Sequence, residues 1–432
     1  MVKDSILPPM PTLSAPPRLH QPVLHRLANG CTIIAEQLPV DAVTLDVWVR
    51  VGSAIEPDVI NGMAHFLEHM IFKGSAQLAC GEFERRVEAQ GALSNAATSQ
   101  DYTHYYLTCA PQDFASLAPL QLDVVLHPQL PAEEFERERR VVLEEIRRAE
   151  DNPRRRAYFH LLEASFDRLP YRRPVLGPSS VVKRLQPRQM RAFHKQWYTP
   201  ENLIVVVVGN LPVEVLIGTV EAQLAQTRAI APQRSRLIPE EPFQEMRRLV
   251  HRDAQLQQAR LYLSWRVPGL DDSRPTQCLD MIAALLSSGR TARLVRDLRE
   301  EKGWVSSISV SNSSYRHQGL FTISARLPND SIERVEATIV EHLQRLAEGS
   351  IPLAELDRIR AQVASRFVFG SERPADRAAL YGYYQSLLGE LSPALDYPQL
   401  IRELQPRDIQ QAVQEHLSVQ AYTSVTLLPE AA

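Results

Sequence analysis

His65 and His69 stand four residues apart with Glu68 between them, in the run HFLEH. In a helix, residues at i and i+4 share a face about one turn apart, so both imidazoles can reach one ion. Zinc accepts neutral imidazole nitrogen at about 2.0 to 2.1 Å, and a catalytic zinc commonly has three protein ligands with a fourth position left to water. Glu68, at i+3 from His65, points to the same side and can take that water's proton. The alternative is an accidental HxxEH among twelve histidines. Against it stands the setting of the run, inside a predicted helix that directly follows a predicted strand.

A third ligand has to come from elsewhere, and the helix predicted from Pro131 to Asp151 offers two candidates. Glu138 and Glu145 are seven residues apart, nearly eclipsed after two turns, with Val141, Val142 and Ile146 close to the same stripe. A carboxylate on an apolar face is costly unless it is paired or bound to metal. On spacing alone a solvated acidic face, with Glu144 or Glu145 simply exposed, remains the alternative.

These residues need elements to position them. Around Ala28-Asn29-Gly30 two apolar runs read as a β-hairpin. Thr44 to Val51 alternates, placing Leu45, Val47, Val49 and Val51 on one side and Asp46, Trp48 and Arg50 on the other, as expected of a strand with one face in a core. Asn61 is a candidate cap for the histidine-bearing helix, with Gly74 placed to end it. A helix from Cys80 to Gly91, a strand from Tyr102 to Cys109 and two further helices follow, the last ended by Asn152-Pro153.

The same order begins again near residue 248: a strand over Ala259–Val267, helices over Pro275–Leu286 and Leu294–Lys302, a strand over Gly319–Arg326 and two long helices. IVVVVG at Ile204–Gly209 and the segment Tyr422–Leu428 close the two copies in the same way. The expected fold is therefore α+β, with two homologous domains, each an antiparallel-rich sheet packed with helices. The expected boundaries are a flexible arm over 1–21, a metal-bearing domain over 22–225, a linker over 226–247 rich in proline and charge, and a metal-free domain over 248–432.

Bulk properties agree with two cores, since 432 residues exceed what one hydrophobic core usually serves. A net charge of -3 from 48 basic and 51 acidic residues carries no electrostatic footprint for nucleic acid. Cys31, Cys80, Cys109 and Cys278 form no CxxC pair, which argues against a thiolate metal site or a dense disulfide framework and fits a reduced cytoplasm. No stretch reaches the ~18 to 20 apolar residues of a membrane helix, and the N-terminal segment lacks the apolar run of a secretory signal. The expectation is a cytoplasmic chain with no membrane or nucleic-acid partner.

The helix HFLEHMIFKGS, with Glu145 in ERERRVVLEEI 76 residues after its second histidine, resembles the inverted zinc motif of the pitrilysin family. Length and duplication are similar to its short-chain branch, that of the processing-peptidase-like enzymes. The resemblance implies one Zn2+ per chain held by His65, His69 and Glu145, with Glu68 as base and Glu138 supporting the site. It implies zinc metalloendopeptidase activity on unfolded or short peptides, inside a chamber enclosed by two chains. Asn95, Ala96 and Thr98 resemble the family's NAxT segment on an exposed strand edge, where an extended peptide can add as a strand.

One departure concerns the partner. The family supplies an Arg and a Tyr seven residues apart from the facing half of the chamber. Here Arg299 matches and Ser306 stands in place of the tyrosine. A heterodimer with a paralogous subunit is therefore expected, with a homodimer as the alternative. The rival readings are a non-catalytic structural subunit, whose signature would be a broken motif, and a dedicated processor of one precursor peptide.

Overall fold

The computed structural model describes residues 21–224, 237–349 and 351–430. Residues 1–20 of the arm predicted over 1–21, residue 225, and residues 226–236 of the linker predicted over 226–247 lie outside the described residues. Two mixed sheets carry the fold. The first has the order β1 (Val23–Arg26), β2 (Thr32–Gln37), β6 (Leu203–Gly209), β3 (Val43–Val49), β5 (Thr103–Cys109), β4 (Leu93–Thr98). The second has the order β7 (Arg247–Asp253), β11 (Thr423–Pro429), β8 (Ala259–Pro268), β10 (Gln318–Leu327), β9 (Ser307–Ser314). β2 runs parallel to β6 and β7 runs parallel to β11, while the other pairings are antiparallel. Apart from β1, each strand of the first sheet has a counterpart at the same place in the second.

β3 shows why its pattern positions the site. Val43, Leu45, Val47 and Val49 face a core shared with α1 (Met63–Ile71) and α3 (Phe114–Leu126). The opposite face is also covered. Trp48 joins Ile34, Ile204 and Val206 beneath the helix Pro374–Leu388 of the second half, and Asp46 is buried against His104 at 3.0 Å. The alternation predicted one buried face. A helix arriving from more than 300 residues away buries the other, which no local pattern can announce.

The exchange is reciprocal. α5 (Pro153–Ser165), part of the first half in sequence, packs Ala157, Leu161 and Ala164 against Val425 and Leu427 of the second sheet. Ser165 Oγ meets Ser264 Oγ at 2.8 Å, and Arg266 donates to the Ser165 carbonyl at 2.7 Å. In the other direction, Arg377 and Tyr381 donate to the buried Glu36 carboxylate at 2.7 and 2.8 Å. Each half thus covers the back of the other's sheet.

Two local expectations are corrected. Asn61 does not cap α1; the cap position is Gly62, at φ 97°, and the Asn61 amide donates to Glu56 instead. The helix expected over Leu294–Lys302 is a π-helical segment over Val295–Glu301.

Candidate metal centre

α1 buries Met63, Phe66, Leu67, Met70 and Ile71 in the first core. With the apolar positions committed, helical geometry turns His65, Glu68 and His69 to the side that meets α4 (Ala132–Asp151) and β4. The Phe66 and Phe135 rings, 4.5 Å between centroids, lock α1 against α4. α4 in turn buries Val142 and Ile146, so Glu138 and Glu145 on adjoining positions point at α1.

Three donor groups converge. His65 Nε2 and His69 Nε2 each lie 3.5 Å from Glu145 Oε2, and ligand atoms of the three residues all lie within 4.8 Å of one another. Ligands about 2.0 to 2.2 Å from a tetrahedral zinc are separated by roughly 3.3 to 3.6 Å, which the two 3.5 Å spacings to Glu145 match. Among the described residues this is the one such group of three or more. Burial, and then the neighbouring His69, push His65 down to about 4, which keeps it in the neutral form a metal requires. Burial also opposes charge on His69, but hydrogen bonds to Glu138 and Glu145 outweigh it and raise that group to about 9. The carboxylates thus favour positive charge at His69, carried by a proton that the ring must give up for a metal to take its Nε2.

The surrounding contacts orient the donors. His69 Nδ1 lies 3.0 Å from Glu138 Oε1, which leaves Nε2 for Glu145 and an ion. The other Glu138 oxygen pairs with Lys73 at 3.0 Å. Burial alone would raise Glu138, yet these two bonds hold it below the ordinary carboxylate range. Lys73 had no predicted role, although it sits in the quoted HFLEHMIFKGS. Glu144 points away and pairs with Arg147 and Arg148 on the exposed side, so the solvated-face alternative describes it and not Glu145.

Glu68 is raised above its ordinary value by burial, and Thr98 Oγ1 donates to its Oε2 at 2.5 Å. Thr98 is put forward by its resemblance to the family's NAxT segment; its bond to Glu68 is not. β4 is the last strand of its sheet, paired to β5 on one side with no described strand on the other. Asn95 Oδ1 accepts from the Ala96 backbone N–H at 2.9 Å. Arg299 and Ser306 are not brought to this cluster by the contacts of the chain. Arg299 donates to Glu300 at 2.8 Å, and Ser306 bonds Gln258 and the Arg326 carbonyl within the second half.

Residues 32–179, which hold the cluster, match the insulinase family (peptidase family M16), and residues 184–363 match the M16 inactive domain. The zinc protease PqqE of Helicobacter pylori is 27% identical over 418 residues, covering 93% of this chain and 92% of that protein. An uncharacterized zinc protease of Mycobacterium leprae is 30% identical over 353 residues, covering 80% and 78%. The crystal structure of a protease from Helicobacter pylori superposes with a TM-score of 0.89 at 27% identity, covering 95% of this chain and all of that one. The chain belongs to the pitrilysin, or M16, family of peptidases.

Proposed function

We propose that this protein is a zinc endopeptidase in which His65, His69 and Glu145 hold one zinc ion and Glu68 is the general base. The observation that carries the reading is the convergence of His65 Nε2, His69 Nε2 and Glu145 Oε2 beside the Glu68 carboxylate. When bound, zinc polarises the scissile carbonyl and acidifies water. Glu68 takes a proton from the attacking water and returns it to the leaving amine; its raised basicity, set by burial, suits both steps. Thr98 holds one Glu68 oxygen and leaves the other for that proton. Glu138, braced by Lys73, fixes the His69 ring.

Substrate binding is assigned to the free edge of β4, where backbone pairing gives affinity with little sequence reading. An edge that takes only extended chain selects unfolded or short peptides. By the family resemblance, the donors facing the reacting carbonyl come from a second chain and the proposed active species is a two-chain chamber; Arg299 and Ser306 of this chain bond within the second half. A paralogous subunit carrying both Arg and Tyr is the proposed partner. The intact donor set speaks against a purely structural subunit.

The test is to incubate the purified chain with a library of unstructured peptides, alone and with a paralogous subunit, and to read the products by mass spectrometry. Cleavage that a chelator abolishes and zinc restores is the expected result. No cleavage with any partner, at full zinc loading, would contradict the reading.

A further inference from the structure

The N-terminus of α1 has no side-chain cap of its own, because its cap position is Gly62. Its backbone donors are met from outside by one carboxylate. Glu56 Oε1 accepts from the Ala64 N–H at 2.6 Å, and Oε2 accepts from the Gly62 N–H at 2.8 Å and the Asn61 amide at 2.9 Å. Glu56 is 3% exposed. Burial raises it above the ordinary carboxylate value, partly offset by the three donors and Arg173. All three partners are donors, so the ionised form, which has only acceptors, is the one that matches them.

The approach around this cap leaves no slack. A Cβ at Gly62 would lie 2.6 Å from the Leu176 carbonyl oxygen, and Gly62 needs its positive φ as well. Arg173 ties the same segment down by donating to the carbonyls of Ser53 at 3.0 Å and Glu56 at 2.6 Å, and to Asp58 at 2.6 Å. Ala64, held by Glu56, is the residue immediately before His65. A rotation of α1 by even a fraction of a turn would carry His65 and His69 away from Glu145, which reaches in from α4.

We propose that Glu56 is a positioning residue of the metal centre, setting the rotation of α1 so that His65 and His69 meet Glu145. This rests on the assignment of His65, His69 and Glu145 as the zinc ligands. In Glu56→Gln, one oxygen becomes an amide donor facing either the Ala64 N–H or the Gly62 N–H with the Asn61 amide, so a donor opposes a donor in both orientations. Glu56→Asp keeps the charge but shortens the reach.

The experiment measures the zinc dissociation constant by competition with a chelator, together with the thermal midpoint of the zinc-free protein. The control is Glu336→Gln in the second half, where a similarly buried carboxylate binds Arg248 and Tyr422. Groups that orient metal ligands typically contribute 10- to 100-fold in affinity. Glu56→Gln is therefore expected to weaken zinc binding about 10- to 100-fold, with Glu56→Asp intermediate. Glu336→Gln should lower the midpoint with the zinc constant unchanged. Zinc binding by Glu56→Gln within about threefold of wild type would overturn the proposal. If Glu56→Gln does not fold, Glu56→Asp is read by the same criterion. Failure of the wild type to bind zinc would instead overturn the ligand assignment, so the two failures are distinguishable.

Discussion

The two sheets repeat one strand order and keep the same free edge, β4 in the first and β9 in the second, but only the first carries a donor cluster among the described residues. The helix after β3 presents His65, Glu68 and His69. Its counterpart after β8, Ser273–Ser287, buries Cys278, Leu279, Met281, Ile282 and Leu285 and contains no histidine. α4 offers Glu138 and Glu145, whereas in its counterpart Leu353–Phe369 the side chain of Arg360 is occupied with the Leu404 carbonyl. The shared scaffold therefore does not dictate chemistry, and a handful of positions on two helices does. What the second half supplies is cover: the helix Pro374–Leu388 closes the back of the first sheet, as α5 closes the back of the second.

The largest expected effect tests the chemical side of that contrast. Glu68→Gln keeps the shape of the base and removes its proton affinity, so peptide cleavage should fall by roughly 10²- to 10⁴-fold with zinc content near normal. Cleavage at the wild-type rate in a steady-state assay would remove Glu68 from the mechanism. A smaller gain is expected from the second half: Ser306→Tyr should raise kcat of the isolated chain about tenfold, below the ~10²- to 10³-fold worth of a fully formed oxyanion donor. An unchanged kcat would show that Ser306 is no handicap.

Two further variants address the mutual cover. A Cβ at Gly382 would overlap the Trp48 indole under the exchanged helix. Gly382→Ala should cost about 1–3 kcal/mol, the usual penalty for overpacking, as read by denaturant unfolding. A neutral result would mean that the exchanged helix is loosely held. Asp167 joins the halves through Arg247 at 2.8 Å and Arg266 at 2.8 Å, and these partners hold it down to about 2. A group with a depressed folded value stabilises fully above its unfolded value, near 4, and loses that contribution as pH falls through about 2. Because Asp167 is half exposed, Asp167→Asn should lower the thermal midpoint by only about 1 °C at pH 7. The difference should vanish as the pH approaches 2; one independent of pH would assign the effect to packing.

Much of this was legible in the sequence because it is local or periodic. HFLEH announces a shared helix face, Glu138 and Glu145 announce an eclipsed pair, and the duplicated order of elements announces two sheets. Choosing Glu145 over Glu138 needed the family resemblance or the structure, since seven-residue spacing treats them alike. What stayed hidden depends on contacts across the chain. Glu56 lies before Gly62 in a segment with no helical pattern, and its role appears only when the carboxylate folds back on Gly62 and Ala64. Asn61 looked like a cap because cap preference is read from residue type, while the left-handed Gly62 takes that position. The Thr98 bond to Glu68 crosses from strand to helix, and the helix exchange joins Glu36 to Arg377. Neither has a local signature.

Metal analysis of purified wild type, His65→Ala and His69→Ala tests the central claim most directly. The account predicts about one zinc per wild-type chain and near-complete loss in both variants, because two ligands do not replace three. Glu145→Gln should weaken binding, and Glu144→Gln, whose carboxylate faces Arg147 and Arg148, should not. Zinc retained at the wild-type level in His65→Ala and His69→Ala would contradict the account.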